Sequence, residues 1–292
     1  MYTREKVIEK LIFICAAVSV AAVALITIFI FAQGMPAIQR TGLLKFIFGT
    51  DWSPTNGSYG ILPLIAGSMA VTIGALIIGI PTGLGCAVFL SEVLDKKQAG
   101  FFRSAIELLA GIPSVVYGFF GLAVIVPMIR AVANVFSPDA GATGLSVLAG
   151  AIILAIMILP TIVSISVNSI DAVPVTYREA SYALGADRRE TITKVVLPAA
   201  RSGIFSSIVL GMGRAIGETM AVLLITGNVA VVPHGIFSPA ATMTGTIAME
   251  MSYATAEHQQ ALFAIGIVLF VIIVILNGAA QAVMKKFGGE AA

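Results

Sequence analysis

Arg214 and Glu218 are two ionisable residues set four positions apart near the middle of an otherwise apolar run, Gly203 to Val229. At the centre of a lipid-embedded helix a charged side chain costs roughly 2.5–3.5 kcal/mol on insertion scales, so it needs a partner or a polar cavity. A helical spacing of four puts both residues on one face, which allows an internal ion pair that ties a bundle together. It equally allows anion chemistry, because guanidinium is a planar fork of donors that can hold two oxygens of a phosphate-like ion, with Glu218 adjusting its charge. A carboxylate can also accept the proton that hydrogen phosphate carries near neutral pH and that sulfate lacks. An intramembrane acid or base at Glu218 would need a second converging catalytic group, and the sequence identifies none.

A second concentration of charge lies in DAVPVTYREASYALGADRRETITKVVLPAAR, from Asp171 to Arg201. Pro174 suits the first turn of a helix, which runs through Tyr177, Glu179 and Ala183 until Gly185 ends it. Asp187 then caps a second short helix with Glu190 at capping-box spacing, and Pro198 discourages continuation past Leu197. Two short helices with a glycine elbow are expected. Such an elbow fits mechanical contact with a soluble partner, and it also fits a helix lying on the lipid surface.

Other chemistries are poorly served. There is no GxxxxGK[ST] phosphate cradle. Cys15 and Cys86 both fall in apolar runs without ligand spacing and read as buried structural thiols, and His234 and His258 lie outside any metal-binding pattern. No basic patch with interleaved aromatics suggests nucleic acid.

These residues have to be positioned by membrane helices. Of 292 residues 58% are hydrophobic and 11% charged, with a mean hydropathy of +1.01, whereas soluble domains carry roughly 25% charge. Six apolar runs stand out: Leu11 to Ala32, Ile61 to Leu90, Ile106 to Ile129, Leu145 to Val167, Gly203 to Val229 and Ala261 to Val283. Each approaches or exceeds the roughly 20 residues an α-helix needs to cross lipid, and none alternates as a barrel strand would. The first run is too long for a signal peptide, has no convincing cleavage site after it, and reads as a retained helix.

Arg4, Lys6, Lys10, Lys96, Lys97, Arg103, Arg178, Arg188, Arg189, Lys194, Arg201, Lys285 and Lys286 fall on one side of these spans, against Arg40, Lys45 and Arg130 on the other. Cytoplasmic loops are the basic ones, so both termini are expected in the cytoplasm. The outer segments Gly34 to Gly60 and Pro233 to His258 read either as surfaces that receive a partner or as interfacial packing, with Trp52 a headgroup-level anchor. Pro81, Pro113, Pro127 and Pro160 lie in or beside spans, with several glycines nearby, a pattern compatible with a moving bundle. No internal repeat is evident, which disfavours repeat-built secondary carriers; an ion-coupled carrier would also leave the elbow unexplained.

Glu179-Ala180-Ser181, three residues, Gly185, nine residues, then Val195, one residue and Leu197-Pro198 resembles the EAA loop of bacterial ABC importer permeases, with Ser181 and Val195 as conservative departures. The resemblance implies that Glu179, Ala180, Ser181 and Gly185 belong to a coupling helix docked on a separate ATPase that binds ATP and Mg. GRAIGETMAV, Gly213 to Val222, is similar to the signature of PstC permeases of phosphate importers. Further similarities run through YGILPLIAG, FLSE, ELLAGIPSVVYGFFG, IMILPTI and LFAIGIVLF. Implied by that resemblance is an all-α integral membrane protein with the type I ABC importer (MetI-like) fold. Its helix and outer loop at 1–60 would precede a permease core at 61–286, with the coupling loop at about 171–198 and a tail at 287–292. Implied partners are a PstA-like permease, a PstB-like ATPase dimer, a PstS-like phosphate-binding protein and inorganic phosphate in a lipid bilayer. Arg214 and Glu218 would line the substrate path, with sulfate or molybdate as the alternative cargo.

Overall fold

The computed structural model describes residues 2–136 and 143–288, so the tail expected at 287–292 lies, from 289 on, outside the described residues. Among the described residues six helical stretches are long and apolar enough to cross a membrane: Ile8–Thr41, Leu62–Val93, Ser114–Val135, Val147–Asp171, Arg188–Gly217 and Ala256–Met284.

The axis of the bundle is α7 (Val147–Asp171), most of whose side chains are buried. It is crossed closely by α3 (Leu62–Val88) and α10 (Leu197–Gly217), because glycines remove the side chains that would hold the backbones apart. A Cβ at Gly79 or Gly83 of α3 would come within 2.8 Å of Ile158 or Ile162 of α7. On α10, Gly211 faces Ile162 in the same way. At the periphery, α1 (Tyr2–Thr41) packs along α13 (Ala256–Gly288) through Gly34 and through edge-on rings, Phe29 on Phe263 at 5.6 Å and Phe31 on Phe270 at 6.2 Å. The apolar residues of α1 from Ile8 to Phe29 are otherwise exposed; lipid is the solvent that accepts such a surface.

Prolines shape the spans differently from expectation. The run Ile106 to Ile129 is not one helix: α4 (Lys96–Ala110) ends at Gly111, and Pro113 starts α5 (Ser114–Phe120). Proline has no N–H to continue the ladder and forces the preceding residue out of helical geometry. Pro198 was expected to stop a helix, yet the chain from Arg188 to Gly217 is one span. The reason is a π-turn over Ile192–Val196, where the Leu197 N–H reaches back five residues to the Ile192 carbonyl; this wider turn relieves the proline ring of the usual carbonyl clash. Pro127, in α6 (Val126–Phe136), follows the π-turn Gly121–Ile125 in the same manner.

Two further expectations are corrected. Cys15 and Cys86 are exposed on the chain's surface, because an apolar run in lipid need not be buried in protein. Trp52 is an internal residue, 9% exposed, with its Nε1–H 3.2 Å from both oxygens of Glu250. Glu250 also contacts His258 Nε2 at 2.7 Å, so the two segments expected as separate loops meet in a buried polar knot. Around it, Phe46 of the short helix α2 (Leu43–Phe48), Ile61, Met243, Leu262 and Ile265 complete an apolar core at the end of the bundle opposite the elbow.

Candidate functional site

The helix that carries Arg214 stops three residues later. Gly217 is the last residue of α10, Glu218 is extended (φ −69°, ψ 136°), and a separate helix, α11 (Met220–Ile225), begins after Thr219. Arg214 and Glu218 therefore do not share a continuous helical face, and no ion pair joins them among the described residues. Each charge is compensated by its own helix end. Arg214 stands in the last turn of α10, where carbonyls present partial negative charge. The Glu218 carboxylate accepts the Ala221 N–H at 3.3 Å at the start of α11, where free N–H groups present the opposite sign.

The break is filled by the segment after α11, which was expected as an outer loop. It contains α12 (Met243–Glu250), capped by Thr242, whose Oγ1 accepts the Gly245 N–H at 3.2 Å. Just inside α12, Thr244 donates to the Glu218 carbonyl at 2.8 Å, and Ser68 of α3 accepts the Met243 N–H at 2.9 Å. The remaining space beside Glu218, bordered by Ser68, Thr72, Thr242 and Thr244, is about 10 Å³, room for one water at most. Glu218 is thus half-buried between the start of α11 and the hydroxyl-bearing residues of α3 and α12, whereas Arg214 is exposed on the chain's surface and has one polar contact among the described residues, Thr161 Oγ1 at 3.4 Å. Nothing in the local sequence marks Ser68 or Thr244 as its neighbours, because they are supplied by distant segments.

At the opposite end of α10 the elbow forms as its capping residues dictate. α8 (Val175–Ala183) follows Pro174 and ends at Gly185, whose φ of +86° only glycine adopts without strain. Asp187 and Glu190 close a reciprocal capping box at α9 (Arg188–Thr191). Ser181 is buried, and its hydroxyl meets Thr191 Oγ1 at 2.9 Å, bracing the two arms. Glu179, Ala180 and Gly185 are exposed, and Leu184 is 90% exposed. Beside them runs a cavity of about 470 Å³ bordered by Tyr177, Ala180, Leu184, Ala186 and Val195, with the Glu190–Lys194 ion pair at its edge, a mainly apolar surface that no other described element covers.

Sequence reasoning missed the residue that ties this elbow to the bundle. Arg178 donates to Glu92 Oε1 at 2.7 Å, to the Val173 carbonyl at 2.7 Å and to the Ile170 carbonyl at 3.1 Å. It joins α8 to the end of α7 and to the π-turn Phe89–Val93 that follows α3. A basic residue among five in the segment carried no signal of this role, since Glu92 lies 86 positions away.

Among the described residues no group of three or more His, Cys, Asp or Glu side chains gathers for a metal. Comparison with known proteins accounts for the architecture. Residues 79–288 match the family described as binding-protein-dependent transport system inner membrane component. The probable ABC transporter permease protein YqgH of Bacillus subtilis is 42% identical, over 88% of this chain and 84% of its own. The phosphate transport system permease protein PstC of Mesorhizobium japonicum is 34% identical over 89% and 84%, and PstC 1 of Mycobacterium tuberculosis 34% over 87% and 85%. Among solved structures, the MetNI methionine ABC transporter in inward-facing form matches with a TM-score of 0.60 at 17% identity, covering 77% of this chain and 95% of that one. A bacterial alginate ABC transporter matches at 0.58 and 16%, covering 91% and 94%. The six spans, the discontinuous helix and these relatives lead to one conclusion: the chain belongs to the binding-protein-dependent transport system inner membrane component family, as a multi-pass, non-catalytic permease subunit of the ABC importer type, with PstC permeases among its relatives.

Proposed function

We propose that this chain forms half of the path of an ATP-driven importer of inorganic phosphate, the other half being a PstA-like permease. A PstB-like ATPase pair binds ATP and Mg and docks on α8 and the turn after it through the exposed Glu179, Ala180 and Gly185, with Ser181 of the same coupling segment bracing the elbow from inside, while a PstS-like protein delivers phosphate to the opposite face. Orientation follows from the basic residues at the α8 end, which favour the cytoplasm and bring both termini with them. The division into a helix and outer loop at 1–60 and a permease core at 61–286 belongs to the same reading.

The observation that carries the proposal is Arg214: an exposed guanidinium in the last turn of α10, at the end of the span Arg188–Gly217 and just before the break that leads to α11, in a chain whose relatives include permeases named for phosphate transport. The carbonyls at this end of α10 carry partial negative charge, so the attraction for an anion comes from the guanidinium itself. Two phosphate oxygens can take the guanidinium fork together, and water is excluded once a second permease closes over it.

Labelled phosphate uptake by vesicles holding this chain with its three partner proteins tests the reading. Uptake is expected to require ATP and to resist an excess of sulfate; uptake of sulfate in place of phosphate would move the assignment to another oxyanion. Glu218→Gln separates the two roles available to that carboxylate. Glutamine still accepts the Ala221 N–H, so the helix break persists. Phosphate uptake is expected to fall about tenfold, the scale of one charge-assisted hydrogen bond. Equal uptake would remove the proton-acceptor role.

A further inference from the structure

On α7 the polar residues Thr161, Ser164, Asn168 and Asp171 recur at intervals of three and four, so they share one face of that helix. Arg214 meets this face at Thr161, and a second arginine, Arg103 of α4, meets it at Asp171, with 2.7 Å between Nη2 and Oδ2. Ten residues of helix separate the two contacts, about 15 Å along the axis. Between them a cavity of about 80 Å³ is bordered by Arg103, Glu107, Ser164 and Asn168 on apolar walls. Beyond Arg103 a second cavity of about 590 Å³ reaches Asp171, Val175 and Arg178 beside α8. Arg103 borders both. Its side chain is 36% exposed, yet its Nε is buried and has no hydrogen-bond partner among the described residues, so one donor of the fork is unused.

We propose that Arg103 is a second anion station, taking the oxyanion that leaves Arg214 along the polar face of α7 and releasing it toward α8 as Asp171 recovers the guanidinium. This rests on the phosphate-import reading above. An unopposed guanidinium in a confined site would retain a divalent anion, whereas conduction needs sites strong enough to be entered and weak enough to be left. Asp171 supplies the competition. Glu107, on the same cavity wall, repels a fully ionised anion and can accept a hydrogen bond from the hydroxyl of one that carries a proton, which favours hydrogen phosphate over sulfate. The station is also tied to the elbow: Arg178 of α8 holds the carbonyls of Ile170 and Val173, the residues flanking Asp171 and Ala172. Displacement of α8 therefore reaches the backbone that carries Asp171.

The test uses the complete importer in vesicles, with phosphate also loaded on the α8 side so that its inhibition of uptake is measured. Joint Arg103→Gln and Asp171→Asn substitution exchanges the ion pair for a neutral pair that can keep the side-chain hydrogen bond. Uptake is expected to fall at least about tenfold, and the phosphate concentration on the α8 side that halves uptake to rise by a similar factor, as one charge-assisted contact is lost. Arg103→Lys, which keeps the charge and the pairing with Asp171, is expected to recover part of both. A double variant that assembles and matches the wild type in uptake and inhibition overturns the inference. If the double variant fails to assemble, Arg103→Lys decides: a loss of uptake with weaker inhibition supports the station, and no change in either overturns it. Arg214→Ala in the same vesicles keeps the two readings apart, because its failure to impair uptake removes the anion path as a whole, whereas impairment there with an unaffected Arg103 pair removes only the second station. Should the wild type carry sulfate instead, the same comparisons with labelled sulfate decide for Arg103 while the phosphate reading falls.

Discussion

Replacing Arg214 by alanine is expected to lower ATP-dependent phosphate uptake about a hundredfold while the complex still assembles. The magnitude follows from losing two charge-assisted hydrogen bonds to the anion, about 3 kcal/mol together, with each 1.4 kcal/mol a factor of ten. Assembly should survive because Arg214 is exposed and its one polar contact within the chain is the 3.4 Å approach to Thr161, so its removal leaves no buried charge unpaired. Arg214→Lys should fall between the two, since an ammonium keeps the charge and loses the fork that holds two oxygens at once. Uptake measured beside the yield of intact complex checks both points. Wild-type uptake by the alanine variant would leave Arg214 a residue of the helix end and nothing more.

Arg178→Met is expected to act on stability and coupling together. Its ion pair with Glu92 is largely enclosed, the side chains being 18% and 10% exposed. Removing one partner of such a pair strands the other, at a cost of about 3–5 kcal/mol, which corresponds to a fall of roughly 10 °C in the melting midpoint of a chain this size. The same side chain holds the carbonyls of Ile170 and Val173, so α8 loses its attachment to α7. Stimulation of ATP hydrolysis by the phosphate-loaded binding protein should disappear with it. Joint Glu92→Gln and Arg178→Met substitution removes the stranded charge and should recover most of the melting midpoint. It should not restore stimulation, because the two carbonyl contacts stay broken. Recovery of both properties in the double variant would reduce Arg178 to a stabilising residue without a part in coupling.

Much of this molecule was legible in the chain itself. Six long apolar runs in a chain with little charge require helices in lipid, since only there are such surfaces solvated and backbone groups satisfied locally. The elbow was equally readable, because its determinants are local: Pro174 before the helix, Gly185 at φ +86°, and Asp187 with Glu190 in reciprocal caps. These features depend on residues within one or two turns of each other. Where a π-turn intervened the same local reasoning erred, as at Pro198, since a widened turn is a property of the whole span under packing and leaves no residue type as its mark.

The candidate path depended on contacts that sequence spacing does not encode. Four residues between Arg214 and Glu218 implied a shared helical face, but Glu218 is held at a break by Thr244, 26 positions on, and is bordered by Ser68 and Thr72 of α3. Trp52, Glu250 and His258, apparently loop residues, are buried against one another across 198 positions. Arg178 found Glu92, and Arg103 found Asp171, each across tens of residues. Hydropathy reports which segments prefer lipid, and capping residues report where a helix can begin or end. Which charged side chain is enclosed and which stays exposed is decided only when distant helices meet, because the cost of burying charge depends on the neighbours that tertiary packing brings to it.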